Sequence, residues 1–354
     1  MENYKSPLHE MSGTTPTQFW NDNCSITDLK FALEHGAVGA TTNPVIVGQV
    51  LEKELEAYRS KIETLVKEHP HASEDEIAWM LNEYMAVEGA KLLEPVYWET
   101  NKRAGYISIQ TNTKYYRCAE KIVEQAVHFN GLAPNIMVKM PVTEAGVKAI
   151  EECTYQGVTV NATVSFTVSQ ALAVAEAIER GLKRREAENL DNSELFPVCT
   201  IMVGRTDDWL KSVVNQEGII MDPAALEFAG VAVFKHAYEI YRERGYKTRL
   251  LAAAYRNHHH WSEFIGGEVS LTIPPGWIRK FVKSDITVEN RMEHPVDGNY
   301  LAQLKKYIPD FDRTYEADGM SPAEFDGYGA TRKTLKQFLQ GYDTMVAKIR
   351  DFMI

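Results

Sequence analysis

Several things are scarce or missing in this chain of 354 residues, and each absence narrows the field. No apolar run approaches the length of a membrane-spanning helix, and the opening "MENYKSPLHEM" lacks the apolar core of a secretion signal. A cytoplasmic protein is therefore expected. Cysteine is sparse: Cys24, Cys118, Cys153 and Cys199 are far apart and form no CxxC pair, which argues against a disulfide framework or a zinc site. The formal net charge of −11 opposes a nucleic-acid partner, because phosphate-backbone binding needs a basic face. It leaves room for a small anionic ligand, since a few arginines in a cleft can dominate the local field. There is no low-complexity tract, no repeat beyond a strand–helix alternation, and no GxGxxG after the first strand.

What is present is a regular alternation. Short apolar runs that read as strands lie at 17–22, 36–43, 105–110, 135–140, 157–162, 197–204, 248–255 and 268–273. Amphipathic helical patterns lie between them, such as 145–156 and 166–181, the latter ending on Gly181 as a C-terminal cap. Eight such units imply an α/β protein with a closed (β/α)8 TIM barrel. The competitor, an open doubly wound sheet, is disfavoured by the missing dinucleotide loop. Residues 51–104 read as helical throughout, with Ser73 and Glu76 as a capping box. The expected organisation is one barrel domain over 1–354, with 285–354 a C-terminal helical extension packed on the barrel.

In such a barrel functional groups sit at the C-terminal ends of the strands. Those ends carry Asp22, Thr42 and Asn43, Gln110, Lys139, Asn161 and Thr163, Thr200 and Arg205, and Arg256. Singly, each has a plain structural reading, an Asn-Pro turn at Asn43 or a surface arginine; together they point to one cavity. Lys139 stands out because "NIMVKMPV" (135–142) is otherwise an unbroken buried strand. Burying an ammonium group is costly unless it is paired or neutral. A paired lysine is the ordinary outcome. The alternative is a Schiff-base nucleophile, for which desolvation favours the neutral amine. Such chemistry also needs a proton carrier, and Asp22 is the one carboxylate among the converging groups.

These motifs resemble the transaldolase family, which is related to the fructose-6-phosphate aldolases. "GATTNPVIV" (39–47) is similar to its first signature and "IMVKMPVTEAGVKAIEECTYQGVTVNATVSFTVSQALA" (136–173) to its second. "VGRTDDW" (203–209), "AAAYRN" (252–257) and "LTIPP" (271–275) are similar to later segments. The resemblance implies Lys139 as Schiff-base lysine, Asp22 as acid/base and Gln110 and Thr163 near a catalytic water. It implies Asn43, Thr42, Asn161 and Thr200 as substrate contacts, and Arg205 and Arg256 as ligands of a substrate phosphate.

Four positions depart from that pattern, the mildest being Thr200 in place of a serine, which keeps the hydroxyl. Gln110 stands where transaldolases generally carry a glutamate, Met202 replaces a phenylalanine, and Ala254 replaces a serine that helps grip phosphate. They leave two enzymatic readings: transfer of a dihydroxyacetone unit from a ketose phosphate to an aldose phosphate, or an aldolase-like enzyme releasing free dihydroxyacetone or acting on a non-standard ketose. A silent sugar-phosphate binding barrel is the reading outside catalysis. No metal or organic cofactor is implied, because the lysine supplies the electron sink. Expected partners are small sugar phosphates, with neither nucleic acid nor membrane, and self-association as a homodimer or larger homo-oligomer is left open. The run His258, His259, His260 follows Arg256; it could touch an anion, and as a metal site its adjacent spacing is wrong.

Overall fold

The computed structural model describes residues 4–354. Eight parallel strands close in sequence order into a barrel: β1 (Gln18–Asn21), β2 (Gly39–Thr41), β3 (Tyr106–Gln110), β4 (Ile136–Pro141), β5 (Val160–Ser165), β6 (Val198–Ile201), β7 (Arg249–Ala252) and β8 (Ser270–Ile273). The ring closes where β1 pairs with β8 over four residues. All eight expected strands are present, and the shorter ones are cut by the chemistry at their ends. Asn43 leaves β2 to cap the helix Pro44–Glu68, accepting from the N–H groups of Val45 and Ile46, with Pro44 in the first turn where its missing N–H costs nothing. β6 stops at Ile201 because the helix Val203–Glu217 begins two residues later, so Arg205 belongs to a helical first turn rather than to a strand end.

Side chains alternate along the strands, and the inward set changes character along the barrel axis. Trp20, Tyr106, Met137, Val198 and Leu251 form an apolar plug separate from the main core between sheet and helices. Beyond it the inward positions turn polar, with Thr41, Ser108, Asn161, Thr200 and Thr272 all buried. The apolar end favours closure, and the polar end faces the βα loops.

The 51–104 region resolves into two long helices, Pro44–Glu68 and Glu74–Glu99. The capping box at the second is present: Ser73 Oγ accepts from the Glu76 N–H at 3.3 Å while Glu76 accepts from the Ser73 N–H at 2.7 Å. Gly181 corrects the sequence reading, because it lies inside a helix that runs Val168–Ala187. A Cβ there would sit 2.7 Å from the Glu151 carbonyl oxygen, so this glycine serves close helix–helix approach rather than termination. The C-terminal helix Gly329–Met353 packs on both long helices, and its Tyr342, Met345, Val346 and Ile349 join Val47, Leu51, Ile62, Ile77 and Leu81 in a second core. No helix among the described residues is long and apolar enough to cross a membrane.

Candidate active site

Sheet register sets the floor of the site. Gln110 is opposite Lys139 in the β3–β4 ladder, and Lys139 is opposite Asn161 in the β4–β5 ladder, so three polar side chains stand side by side. Lys139 is 3% exposed. Among the described residues it forms no ion pair, and its Nζ donates one long hydrogen bond, 3.3 Å, to the carbonyl oxygen of Thr42. Burial pushes the amine below the ordinary lysine range, with the nearby Arg205 charge acting in the same direction and Asp22 opposing both. The reading of a lysine held by a carboxylate hydrogen bond therefore does not describe it.

Asp22 follows β1 and is anchored by its own backbone, whose N–H donates to Ile273 of β8 at 3.0 Å. Its Oδ1 accepts from Thr41 Oγ1 at 2.7 Å. Because the Thr41 proton is committed there, the 2.5 Å contact between the Thr41 and Thr272 hydroxyls places Thr272 as donor, giving a relay Thr272–Thr41–Asp22. Burial raises the Asp22 carboxyl above its usual range, while Lys139 and the Thr41 hydrogen bond pull it back. One face of the carboxylate is fixed by the relay and the other is left for a proton.

Asn161 is locked on both sides. Its Nδ2 donates to Ser108 Oγ at 3.0 Å and its Oδ1 accepts from Thr200 Oγ1 at 2.7 Å. Thr200 is thus spent on orienting Asn161. Asn43 likewise uses its oxygen to cap a helix, leaving its amide nitrogen for other contacts. Gln110 donates weakly to Thr113, at 3.3 Å, while its Oε1 is buried without a protein partner. Among the described residues the buried hydroxyls of Thr163 and Tyr255 are also unpartnered. Buried polar atoms are nearly always satisfied, so such a group of them marks a place shaped for polar ligands or water. Backbone strain falls in the same region. The β5–β6 register slips between Ala162 and Ser165, with Val164 at φ +58°, and Ala254 beyond β7 has φ +67°. A β-branched residue in the left-handed region is costly and persists where packing overrules it.

The two arginines line a cavity of about 520 Å³ between the helix Pro44–Glu68 and the C-terminal helix, together with Gln49, Glu52, Gln337 and Gln340. Arg205 lies above the Phe338 ring, 5.5 Å from its centroid, and donates to Thr334 Oγ1 at 3.2 Å and to Gln337 Oε1. Burial and the neighbouring Arg256 charge push its pKa down. Arg256 is held by Asp208, with Nη2 to Oδ2 at 2.7 Å and Nε to both oxygens at 3.0–3.1 Å. Both guanidinium groups are thus held in place by protein contacts, and the charge of one is compensated. The charge of Arg205 is felt at both Asp22 and Lys139, which ties the arginine-lined cavity to the lysine.

The histidine run separates into different fates. His259 packs on Phe228, centroids 4.3 Å apart, and burial lowers its pKa to about 4. His260 is fully buried against Asp207 and exposes no edge that could itself meet an anion. Sequence reasoning missed Thr41, Ser108, Asp208, Tyr255, Thr334 and Gln337. The first two had a signal in their inward strand parity; the last two come from the C-terminal helix, whose packing is expected but whose contact with Arg205 no local pattern announces.

The family model for transaldolase/fructose-6-phosphate aldolase matches residues 19–320 of the chain. Transaldolase 1 of Streptomyces avermitilis is 30% identical over 208 residues, which cover 58% of this chain and 54% of that protein. The transaldolase of Thermobifida fusca is 29% identical over 261 residues, 70% of this chain and 69% of that protein. Transaldolase 2 of a Nostoc species is 27% identical over 336 residues, 83% and 85% of the two chains. The matches to the Streptomyces relatives span between 54% and 58% of those proteins' length.

Proposed function

The chain belongs to the transaldolase/fructose-6-phosphate aldolase family, and from that footing we propose that it transfers a dihydroxyacetone unit from a ketose phosphate to an aldose phosphate through a Schiff base on Lys139. The observation that carries the reading is the state of Lys139: enclosed in the barrel, free of any ion pair among the described residues, and shifted toward the neutral amine. A neutral amine attacks the ketone carbon, and loss of water gives an iminium ion. Asp22 then accepts the proton of the hydroxyl on the carbon beyond the bond to be broken. The C–C bond electrons flow into the iminium as that carbon becomes an aldehyde, leaving an enamine. The enamine adds to the acceptor aldehyde while Asp22 returns the proton to the new alkoxide, and water frees the product ketose from Lys139. Asn161, fixed by Ser108 and Thr200, presents no free rotor to the intermediate, and Arg205 and Arg256 supply the anion contact. This chemistry needs no metal or organic cofactor.

Borohydride reduction in the presence of fructose 6-phosphate tests the reading. A mass increase confined to the Lys139 peptide is expected, and none in Lys139→Met. An unmodified wild-type chain, or an adduct on another lysine, would remove the proposal.

Gln110 favours a second outcome at the same site. Its Oε1 is buried and unpartnered, and an amide cannot take a proton from water as a carboxylate can. Release of free dihydroxyacetone without an acceptor aldehyde would identify the aldolase reading.

A further inference from the structure

Behind Arg256 stands a buried pair that the proposed chemistry does not use. Asp207 and His260 are both fully buried, and His260 Nε2 is 2.8 Å from Asp207 Oδ2. Asp207 is fixed on its other oxygen, Oδ1, by the N–H of Gly230 at 2.7 Å. His260 Nδ1 lies 3.0 Å from the backbone nitrogen of Arg256. That nitrogen can only donate, so Nδ1 must be the unprotonated acceptor and Nε2 must carry the ring proton, which it gives to the Asp207 carboxylate. Every hydrogen-bonding atom of the pair thus has one consistent role, and the network ends on the backbone of an arginine in the anion cavity.

The segment it contacts includes a residue in a strained backbone conformation. Ala254 is in the left-handed region at φ +67°. Its carbonyl oxygen presses on Gly204, where a Cβ would come within 1.7 Å of it. The Tyr255 ring meets the His260 ring edge-on with centroids 6.1 Å apart, and the Arg256 side chain folds back so that Nη1 donates to the Tyr255 carbonyl at 3.0 Å. Asp208, the next residue after Asp207, clamps the same guanidinium. Two neighbouring aspartates therefore act on Arg256 by different routes, one through the side chain and one through a histidine to the backbone.

We propose that Asp207 and His260 are positioning residues, which fix the 254–256 turn and so hold the Arg256 guanidinium in the geometry that the substrate anion meets. The proposal rests on the reading of Arg256 as an anion ligand. The pair touches no substrate; it acts through backbone.

Two replacements at His260 separate positioning from packing. In His260→Asn the carbonyl oxygen can occupy the place of Nδ1 and keep the Arg256 N–H acceptor, while His260→Phe removes it. Asp207 loses its partner in both, so that loss cancels in the comparison. The Phe variant is expected to raise the KM for fructose 6-phosphate about tenfold, the scale of one lost hydrogen bond, with kcat little changed. The Asn variant is expected to recover most of that loss. Equal KM in the two variants, or a change confined to kcat, would overturn the proposal. Long-range proton–nitrogen NMR of the wild-type histidines, with His260 assigned by its disappearance in a variant, is expected to show a bare Nδ1 and a protonated Nε2. A protonated Nδ1 would overturn the pair's geometry even where a variant does not fold. Should the wild type form no adduct with fructose 6-phosphate, the functional reading fails by itself. Inorganic phosphate, followed by the thermal shift of the same two variants, then carries the comparison without turnover, and equal shifts count against the pair.

Discussion

Lys139 and Asp22 sit in one barrel mouth, and burial moves each toward its uncharged form while each opposes the other's shift. The consequence for pH dependence has a definite sign. On the proposed Schiff-base route the nucleophile is the amine that has lost its proton, so the initial rate of adduct formation should rise with pH and level off below the ordinary lysine value of 10.5. On the same proposed route Asp22 must be ionised to accept the hydroxyl proton. Cleavage should therefore fail as pH drops through a carboxyl pKa that lies above the ordinary 3.8. Borohydride trapping reports the first and release of aldose the second. In Asp22→Asn adduct formation should survive at reduced rate while cleavage is lost by about a hundredfold or more, the usual weight of general acid–base catalysis. A cleavage rate unchanged in that variant would move the proton-carrying role elsewhere.

The elements explain what a sequence could and could not reveal. All eight strands were legible, because a strand covered on both faces shows as a short apolar run between turn signals. Ser73 and Glu76 announced a helix start because a capping box is written in two residues three apart. Gly181 misled, since a glycine inside a helix and one that ends it look alike until the neighbouring helix is in place. Thr200 and Asn43 stood at the expected strand ends, but their hydroxyl and carbonyl oxygen turn out to serve Asn161 and a helix N-terminus. The turn beyond β7 makes this dependence on packing testable. Gly204→Ala would drive a methyl group into the Ala254 carbonyl and toward Arg256 Cγ, where the contact would be 2.8 Å. Overpacking of this kind costs about 1–3 kcal/mol. The expected result is a lower melting temperature together with weaker binding of phosphorylated ketoses, read by calorimetry and by KM. Normal stability with normal KM would show that the turn is freer to move than its contacts imply.

At the scale of the molecule the question is whether residues 285–354 are an appendage or part of the fold. The C-terminal helix buries Leu335, Phe338, Tyr342, Met345, Val346 and Ile349, and four of these belong to the second core that this helix forms with the two long helices. It also lends Thr334 and Gln337 to Arg205 and walls the arginine-lined cavity with Gln340. Burying a large apolar side chain stabilises by about 1.5–3 kcal/mol. Six of them therefore represent about 10 kcal/mol, as much as the whole net stability of an ordinary domain. Deletion of 329–354 should for that reason leave no folded barrel with a weakened site. The truncated chain is expected to be insoluble or to lose cooperative thermal unfolding, with near-ultraviolet circular dichroism collapsed. Gln337→Ala, which spares the apolar face of the helix, should melt like the wild type while its KM for phosphorylated ketoses changes, because Arg205 loses one of its two side-chain acceptors. A truncated chain that melts cooperatively would instead make the barrel an independent unit and the helix a docked cover. The apolar residues of the helices Pro44–Glu68 and Glu74–Glu99 would then have to tolerate water on the face that Tyr342 and Ile349 now cover.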